Sequence, residues 1–256
     1  MMAAQTQSNR ANEISQQTID AYRRDGFVRV NGIISKQEAA EYRQAAIAAA
    51  AANKSNTVGD IFTQHVNIWR VDEAMRRLTF HPNVTAVARK LAEVPLRLWH
   101  DQILIKKPHN NTPTEFHQDQ PYWPHNNSTH PISIWIALCD VPPERGCMTF
   151  IPGFHNRNDL AAQDLGDARS MFEMCPEMQW ESRVTVPLRA GDCTFHHGRC
   201  PHQANANSTD EPRVAHAVIF VDASTTYSGT KHIVTDPLGM KAGAVLDGEL
   251  FPIVGE

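Results

Sequence analysis

Six short β-prone runs lie between Leu96 and Val221, and they constrain this chain more than any other feature. They are Leu96–Ile105, Ile132–Leu138, Met148–Ile151, Val184–Leu188, Cys193–His197 and Val214–Val221, and Pro, Gly, Asn and Asp punctuate the intervals. Strands this short and this frequent predict a double-sheet jelly roll or barrel. That pattern suits antiparallel pairing better than a parallel sheet with crossover helices. The first third reads differently. Ser15 and Ser35 are positioned as N-caps, and Ser35-Lys36-Gln37-Glu38 has capping-box spacing. The alanine-rich run Ala39–Ala52 predicts a helix of three or four turns. Asp25-Gly26 ends the preceding helix, and Phe27–Val30 alternates as a strand. Val71–Leu78 and Asn83–Leu91 predict two further helices broken at His81-Pro82. The expected fold is therefore mainly β with N-terminal helices and a double-sheet jelly-roll or barrel core. A flexible tail is expected over 1–12, followed by a single domain over 13–256. That domain would be helical to about 95, jelly-roll over about 96–222, and finish in a C-terminal extension.

Bulk properties exclude several classes. A net charge of −4 gives no reason to expect nucleic acid or an anionic membrane as partner. No run of 18 apolar residues suggests a membrane span, and Met1–Asn12 lacks the apolar stretch of a secretory leader, so a cytoplasmic location is expected. The five cysteines, Cys139, Cys147, Cys175, Cys193 and Cys200, are odd in number and form no C-x-x-C pair. Reduced, buried thiols are expected rather than a zinc site or a disulfide framework.

Thirteen histidines must be sorted. His117 and Asp119 are two apart, a spacing that can project both from one face of a strand. His202, 83 residues after the aspartate, can complete a facial two-histidine, one-carboxylate set. Such a set leaves three adjacent positions of an octahedral metal open and suits non-haem Fe(II) chemistry with O2. The polar segment between His202 and Arg213 reads as a hairpin loop. It would place those two residues at opposite bases, roughly 5 Å apart between α-carbons. Arg213 shares a face with Ala215, Ala217 and Ile219. A buried guanidinium there needs an anion, and a dicarboxylate could bridge it to the metal. His196 and His197 sit on one strand and face opposite ways, so they read as supporting groups. His125, His130 and His155 read as rim residues, His216 as facing away from Arg213, and Glu115 as an acceptor that orients the His117 imidazole.

These residues sit in a wider pattern: Phe116-His117-Gln118-Asp119, Glu144-Arg145-Gly146-Cys147-Met148-Thr149-Phe150-Ile151-Pro152-Gly153-Phe154-His155, Gly191-Asp192, and His202 with Arg213. Over roughly Asp25–Val221 the chain resembles the phytanoyl-CoA dioxygenase (PhyH) superfamily of Fe(II)/2-oxoglutarate oxygenases, in particular bacterial natural-product-tailoring members. The resemblance implies a double-stranded β-helix (jelly-roll, cupin-like) core, Fe(II) on His117, Asp119 and His202, the distal carboxylate of 2-oxoglutarate on Arg213, and Trp135 packed along that cosubstrate. Ala204 departs from the hydroxyl residue that several members carry there; Thr149 or Gln102 would have to supply the missing donor. The implied reaction uses O2 and 2-oxoglutarate, releases succinate and CO2, and hydroxylates or otherwise oxidises a small organic molecule, plausibly in secondary metabolism. A carboxylate at 119 favours hydroxylation over halogenation.

Two alternatives stay open: a cupin-like metalloenzyme without 2-oxoglutarate, and a non-catalytic jelly-roll binding protein. The substrate would be a small molecule met by Tyr122, Trp123 and Phe172. His155–Ser182, with Met171, Phe172, Met174 and Met178, reads either as a core helix or as a mobile lid. The sequence leaves the substrate, the stereochemistry and the oligomeric state open.

Overall fold

The computed structural model describes residues 13–54, 56–58, 61–125 and 127–255; the expected tail at Met1–Asn12 lies outside them. The first helix, α1 (Gln16–Asp25), starts where the Ser15 hydroxyl accepts from the Thr18 N–H. It ends at Gly26 with φ 81°, a left-handed residue that glycine adopts without a Cβ penalty. A Cβ there would also lie 2.6 Å from the His155 ring. After β1 (Phe27–Val30), α2 (Lys36–Ala52) opens on the Ser35–Glu38 capping box. A pair of strands absent from the sequence reading follows, β2 (Asn56–Val58) and β3 (Phe62–Val66). Then come α3 (Glu73–Thr79) and α4 (Pro82–Ala92). They are separated at His81, and Pro82 takes the first helical position, where its missing N–H costs nothing.

The remaining strands are β4 (Leu96–Lys106), β5 (Thr114–His117), β6 (Ile132–Ala137), β7 (Met148–Phe150), β8 (Val184–Val186), β9 (Cys193–His197), β10 (His202–Ala204) and β11 (Arg213–Asp222). One short helix, α5 (Ser170–Met174), precedes β8. All six expected strands are present, with ends within two residues of the expected ones. They form two antiparallel sheets, one ordered β1-β9-β6-β11-β4-β3-β2 and the other β5-β10-β7-β8. The jelly-roll expectation holds, as an open two-sheet sandwich and not a closed barrel.

Three apolar clusters explain the layering. The helices α1–α4 bury Ile19, Ala46, Leu78 and Val87 against Leu98, Ile134, Phe195 and Val218 on the outer face of the larger sheet. Between the sheets lie Trp99, Trp135, Phe150, Ala215, Ala217 and Ile219. On the outer face of the smaller sheet, Phe116 and Ile151 pack with Leu160, Met171, Cys175 and Met178. All ten residues of β11 are buried, as a strand covered on both faces must be. The five cysteines are buried and unpaired. Among the described residues, no helix is long and apolar enough to cross a membrane.

Two departures from simple alternation shape the interior. In β4, His100 pairs with Ile219 and Leu98 with Phe220, so Trp99 is an extra residue. This bulge puts Trp99 and His100 on the same, inner side of the sheet, a displacement β-bulges produce beside functional sites. The second departure corrects the hairpin reading of His202 to Arg213. β10 pairs with β5 and β7, whereas β11 pairs with β4 and β6, so the two residues lie in different sheets. The connection between them crosses the sandwich. It is held by Asn207, whose side-chain amide donates to the carbonyls of Lys107 and Glu211 while its oxygen accepts from Thr209. A polar, turn-forming segment looks the same in sequence whether it joins strands of one sheet or of two.

Candidate active site

A cavity of about 360 Å³ opens between the sheets. At its floor, β5 and β10 are direct neighbours with His117 opposite His202, and the two imidazoles lie 4.3 Å apart. Asp119 stands just beyond the end of β5, in helical backbone geometry (φ −70°, ψ −45°). The strand turns there, which brings the carboxylate back toward both rings. His117 Nε2 and His202 Nε2 lie 3.6 and 3.7 Å from Asp119 Oδ1. One ligand atom from each of the three residues falls within 4.8 Å of the others.

Hydrogen bonds orient these donors. The Nδ1–H of His117 donates to the Glu115 carbonyl at 2.7 Å, and that of His202 to the Cys200 carbonyl at 2.9 Å. Each ring is fixed by the backbone two residues upstream, so each Nε2 lone pair points into the site. The sequence reading had given Glu115 this role; its main-chain oxygen is the acceptor. Asp119 is anchored through its other oxygen. Ser133 Oγ on β6 donates to Oδ2 at 3.0 Å, and His196 Nε2 lies 3.5 Å from the same atom. Oδ1 is thereby left to the two histidines.

Ionisation suits a metal. Burial, together with His117, pushes the His202 imidazole down to about 3. Burial alone would raise the Asp119 carboxyl, but His202, His117 and His196 outweigh it and hold it well below the usual carboxylate range. Neutral imidazoles and a carboxylate are the forms a metal requires. His196 faces the cavity. His197 turns away, and its Nε2 meets the Thr129 carbonyl at 3.2 Å.

Arg213 lines the same cavity from β11. Its guanidinium is buried, lies 5.2 Å from the Trp135 ring, and leaves Nε and Nη1 without hydrogen-bond partners among the described residues. Burial pushes its pKa down to about 10, so it stays cationic near neutrality. An unpaired buried guanidinium is costly, and a bidentate carboxylate is the group that relieves it. Gln102 lines the cavity, with its side-chain oxygen accepting from Gln64. Thr149 does not. It points out of the sandwich, where its hydroxyl meets that of Thr185 at 2.9 Å. A hydroxyl nonetheless reaches this part of the cavity from Thr114, the cross-strand partner of Ala204. An irregularity in the β5–β10 register turns Thr114 inward, and strand alternation alone would not have found it.

The other end of the cavity was less legible. Tyr122 and Trp123 line it. Trp123 lies against Gly198, where a Cβ would come within 2.8 Å of its ring. Phe172 does not line it. Its ring sits 5.8 Å from that of Phe116, on the outer face of the smaller sheet, with Arg183 over both. His155–Ser182 therefore packs as a small core around the buried Met171 and Met178, and only Leu165 reaches the cavity. Of the histidines read as rim residues, His125 is buried against Trp99 and Trp123, and His130 bonds Asp222. Sequence reasoning missed His100, His232, Ile233 and Ser133, all of which line the cavity.

Residues 22–215 match the family model for phytanoyl-CoA dioxygenase (PhyH). The chain is 31% identical over 163 residues to the mouse phytanoyl-CoA dioxygenase domain-containing protein 1. That match takes in 60% of the chain and 55% of the relative, so the chain spans about half the length of the curated proteins it matches. Among solved structures, the non-haem α-ketoglutarate-dependent carbocyclase SnoK from nogalamycin biosynthesis superposes with a TM-score of 0.86 at 34% identity, over 96% of this chain and 98% of that one. The epimerase SnoN, in complex with Fe3+, α-ketoglutarate and nogalamycin RO, gives 0.81 at 38% identity, over 93% and 97%.

Proposed function

The chain belongs to the phytanoyl-CoA dioxygenase (PhyH) family; from that premise we propose that it is a non-haem oxygenase using Fe(II), 2-oxoglutarate and O2, and that it oxidises a small organic molecule by hydrogen abstraction in a natural-product-tailoring step. His117, Asp119 and His202 would hold the iron by Nε2, Oδ1 and Nε2 and leave one face open toward the cavity. Arg213 would take the distal carboxylate of 2-oxoglutarate, with Trp135 as a wall beside it. When bound, the metal and cosubstrate supply O2 activation, with decarboxylation of 2-oxoglutarate to succinate and CO2 coupled to removal of hydrogen from the substrate.

The protein's own contribution is placement. Ser133 and His196 hold Asp119 through Oδ2, and carbonyls hold both imidazoles in one tautomer. The sandwich shuts water away from the Arg213 end. The observation that carries this reading is the buried Arg213 guanidinium with two partnerless nitrogens, in the same cavity as the His-Asp-His cluster. It favours the 2-oxoglutarate reading over a cupin-like enzyme without cosubstrate, which has no use for it. The His-Asp-His cluster beside it disfavours a binding protein without catalysis. The tailoring role is supported by the likeness to a carbocyclase and an epimerase, both from nogalamycin biosynthesis. Those two outcomes also keep cyclisation and epimerisation beside hydroxylation.

The test is succinate formation by the purified chain supplied with Fe(II), 2-oxoglutarate and O2. Succinate that requires all three and disappears in Asp119→Ala supports the reading. Succinate formation that is absent, or independent of 2-oxoglutarate, overturns it.

A further inference from the structure

The end of the cavity away from Arg213 is lined by two histidines that the metal cluster does not use. His100 comes from the β4 bulge and His232 from the segment after β11. Their rings face each other at 6.3 Å between centroids with 26° between planes, and Trp99 lies 5.2 Å from His232. A backbone contact sets the tautomer of each ring, a long one of 3.4 Å for His100 and an N–H at 3.2 Å for His232. His100 Nδ1 meets the Asp101 carbonyl, which can only accept, so Nδ1 carries the proton and Nε2 is an acceptor. The Val234 N–H donates to His232 Nδ1, so in the neutral ring Nε2 carries the proton and donates. Burial, then the neighbouring His232, pushes His100 down to about 3, and burial pushes His232 down to about 4 against the pull of Asp236. Both rings are neutral near pH 7.

The walls around them are apolar, with Trp123, Val66, Ile219 and Ile233, the last half-exposed at the mouth. Among the described residues lining the cavity, Asp119 and Arg213 are the only two with full charges, and both are already assigned. With Fe(II) on Asp119 and 2-oxoglutarate against Arg213 the four groups' charges cancel, so an anionic substrate would add a net negative charge that nothing lining the cavity offsets, which is unfavourable in a buried site. A hydroxyl both donates and accepts, so a pair of hydroxyls can satisfy an acceptor nitrogen and a donor N–H together.

We infer that His100 and His232 form a substrate subsite for an uncharged, largely apolar scaffold that presents neighbouring hydroxyl groups. The inference rests on the oxygenase reading and names the class of substrate for that site. Three matched probes test it, titrated calorimetrically and without O2 into the full chain carrying Fe(II) and 2-oxoglutarate: cis-1,2,3,4-tetrahydronaphthalene-2,3-diol, an aliphatic diol that is a far weaker iron chelator than a catechol, its dimethyl ether, and 1,2,3,4-tetrahydro-2-naphthoate. The diol binds most tightly. His100→Leu and His232→Leu each weaken it by about three- to tenfold, the range for one neutral hydrogen bond. His232→Gln, which keeps an N–H donor, recovers most of the loss. The visible absorption of the bound iron and 2-oxoglutarate serves as the control in every protein. Its absence from the unmodified chain is a failure of the oxygenase reading itself. With that absorption present, the inference alone is overturned by undetectable diol binding, equal affinity for the three probes, preference for the naphthoate, or diol affinity unchanged in His232→Leu.

Discussion

The two ends of the cavity are built by different means. Around the metal cluster and Arg213, the polar groups sit on strands or just past one: His117 on β5, Asp119 two residues beyond its end, His202 on β10, Ser133 and Trp135 on β6, Arg213 on β11. Their positions follow from register and alternation, and buried neighbours hold each one. At the other end, the wall comes from a bulge in β4, from the turn that carries Trp123, and from the loop after β11 with His232 and Ile233. The first end has one geometry to hold, whatever the substrate. The second can change by altering a loop and leave the sheets alone, as selectivity on a rigid scaffold commonly does.

If this division is right, damage at the first end is severe and independent of substrate. His117→Ala, Asp119→Ala and His202→Ala should each reduce succinate formation to background with unchanged circular dichroism, since the three apolar clusters do not depend on them. His196→Ala and His197→Ala should still bind iron. Loss of iron from His196→Ala with retention in His202→Ala would reverse the ligand assignment. Next in size is Arg213→Ala. Removing a buried, charge-assisted contact costs about 2–5 kcal/mol, which is at least about thirtyfold in KM for 2-oxoglutarate, with iron affinity preserved. An unchanged KM would remove Arg213 from the cosubstrate site.

Ser133 sharpens the comparison, because it touches Asp119 and would not itself be a ligand. Ser133→Ala should weaken Fe(II) binding by about ten- to a hundredfold, as loss of a hydrogen bond behind a ligand does, and Ser133→Thr should restore it. Equal Fe(II) affinity in all three proteins would leave Asp119 positioned by His196 and the backbone without Ser133. The smallest functional effect belongs to the segment 155–182. Met178→Ala should cost about 2–5 kcal/mol of stability in urea denaturation, and Phe172→Ala less, with KM for 2-oxoglutarate unchanged in both. A shifted KM without lost stability would return this segment to the role of a lid.

The same division marks what the sequence disclosed. That His117, Asp119, His202 and Arg213 gather at one cavity was legible from motif spacing, and strand alternation bore on the three that strands hold; Asp119 lies past the end of β5, where a turn and not alternation brings it in. The inward face of Arg213, Ala215, Ala217 and Ile219 appears as expected. Thr149 was misplaced because inwardness was assumed for a residue whose neighbours Met148 and Phe150 take that face. Phe172 was misplaced because a methionine-rich segment reads alike over a cavity or under a sheet. His100 was hidden by the one-residue phase change at Trp99. His232 was hidden because nothing in a polar C-terminal segment announces which way it folds back. Bulges and long returns depend on contacts between distant parts of the chain, and local pattern does not encode them.

The central claim is that one cavity holds iron on His117, Asp119 and His202 and 2-oxoglutarate against Arg213. An anaerobic titration tests it most directly: Fe(II) is added, then 2-oxoglutarate, while the visible spectrum is recorded. The account predicts a weak charge-transfer band that appears only after 2-oxoglutarate, needs a higher 2-oxoglutarate concentration in Arg213→Ala, and is missing in His202→Ala. No band in the unmodified protein, or an undiminished band in His202→Ala, would contradict it.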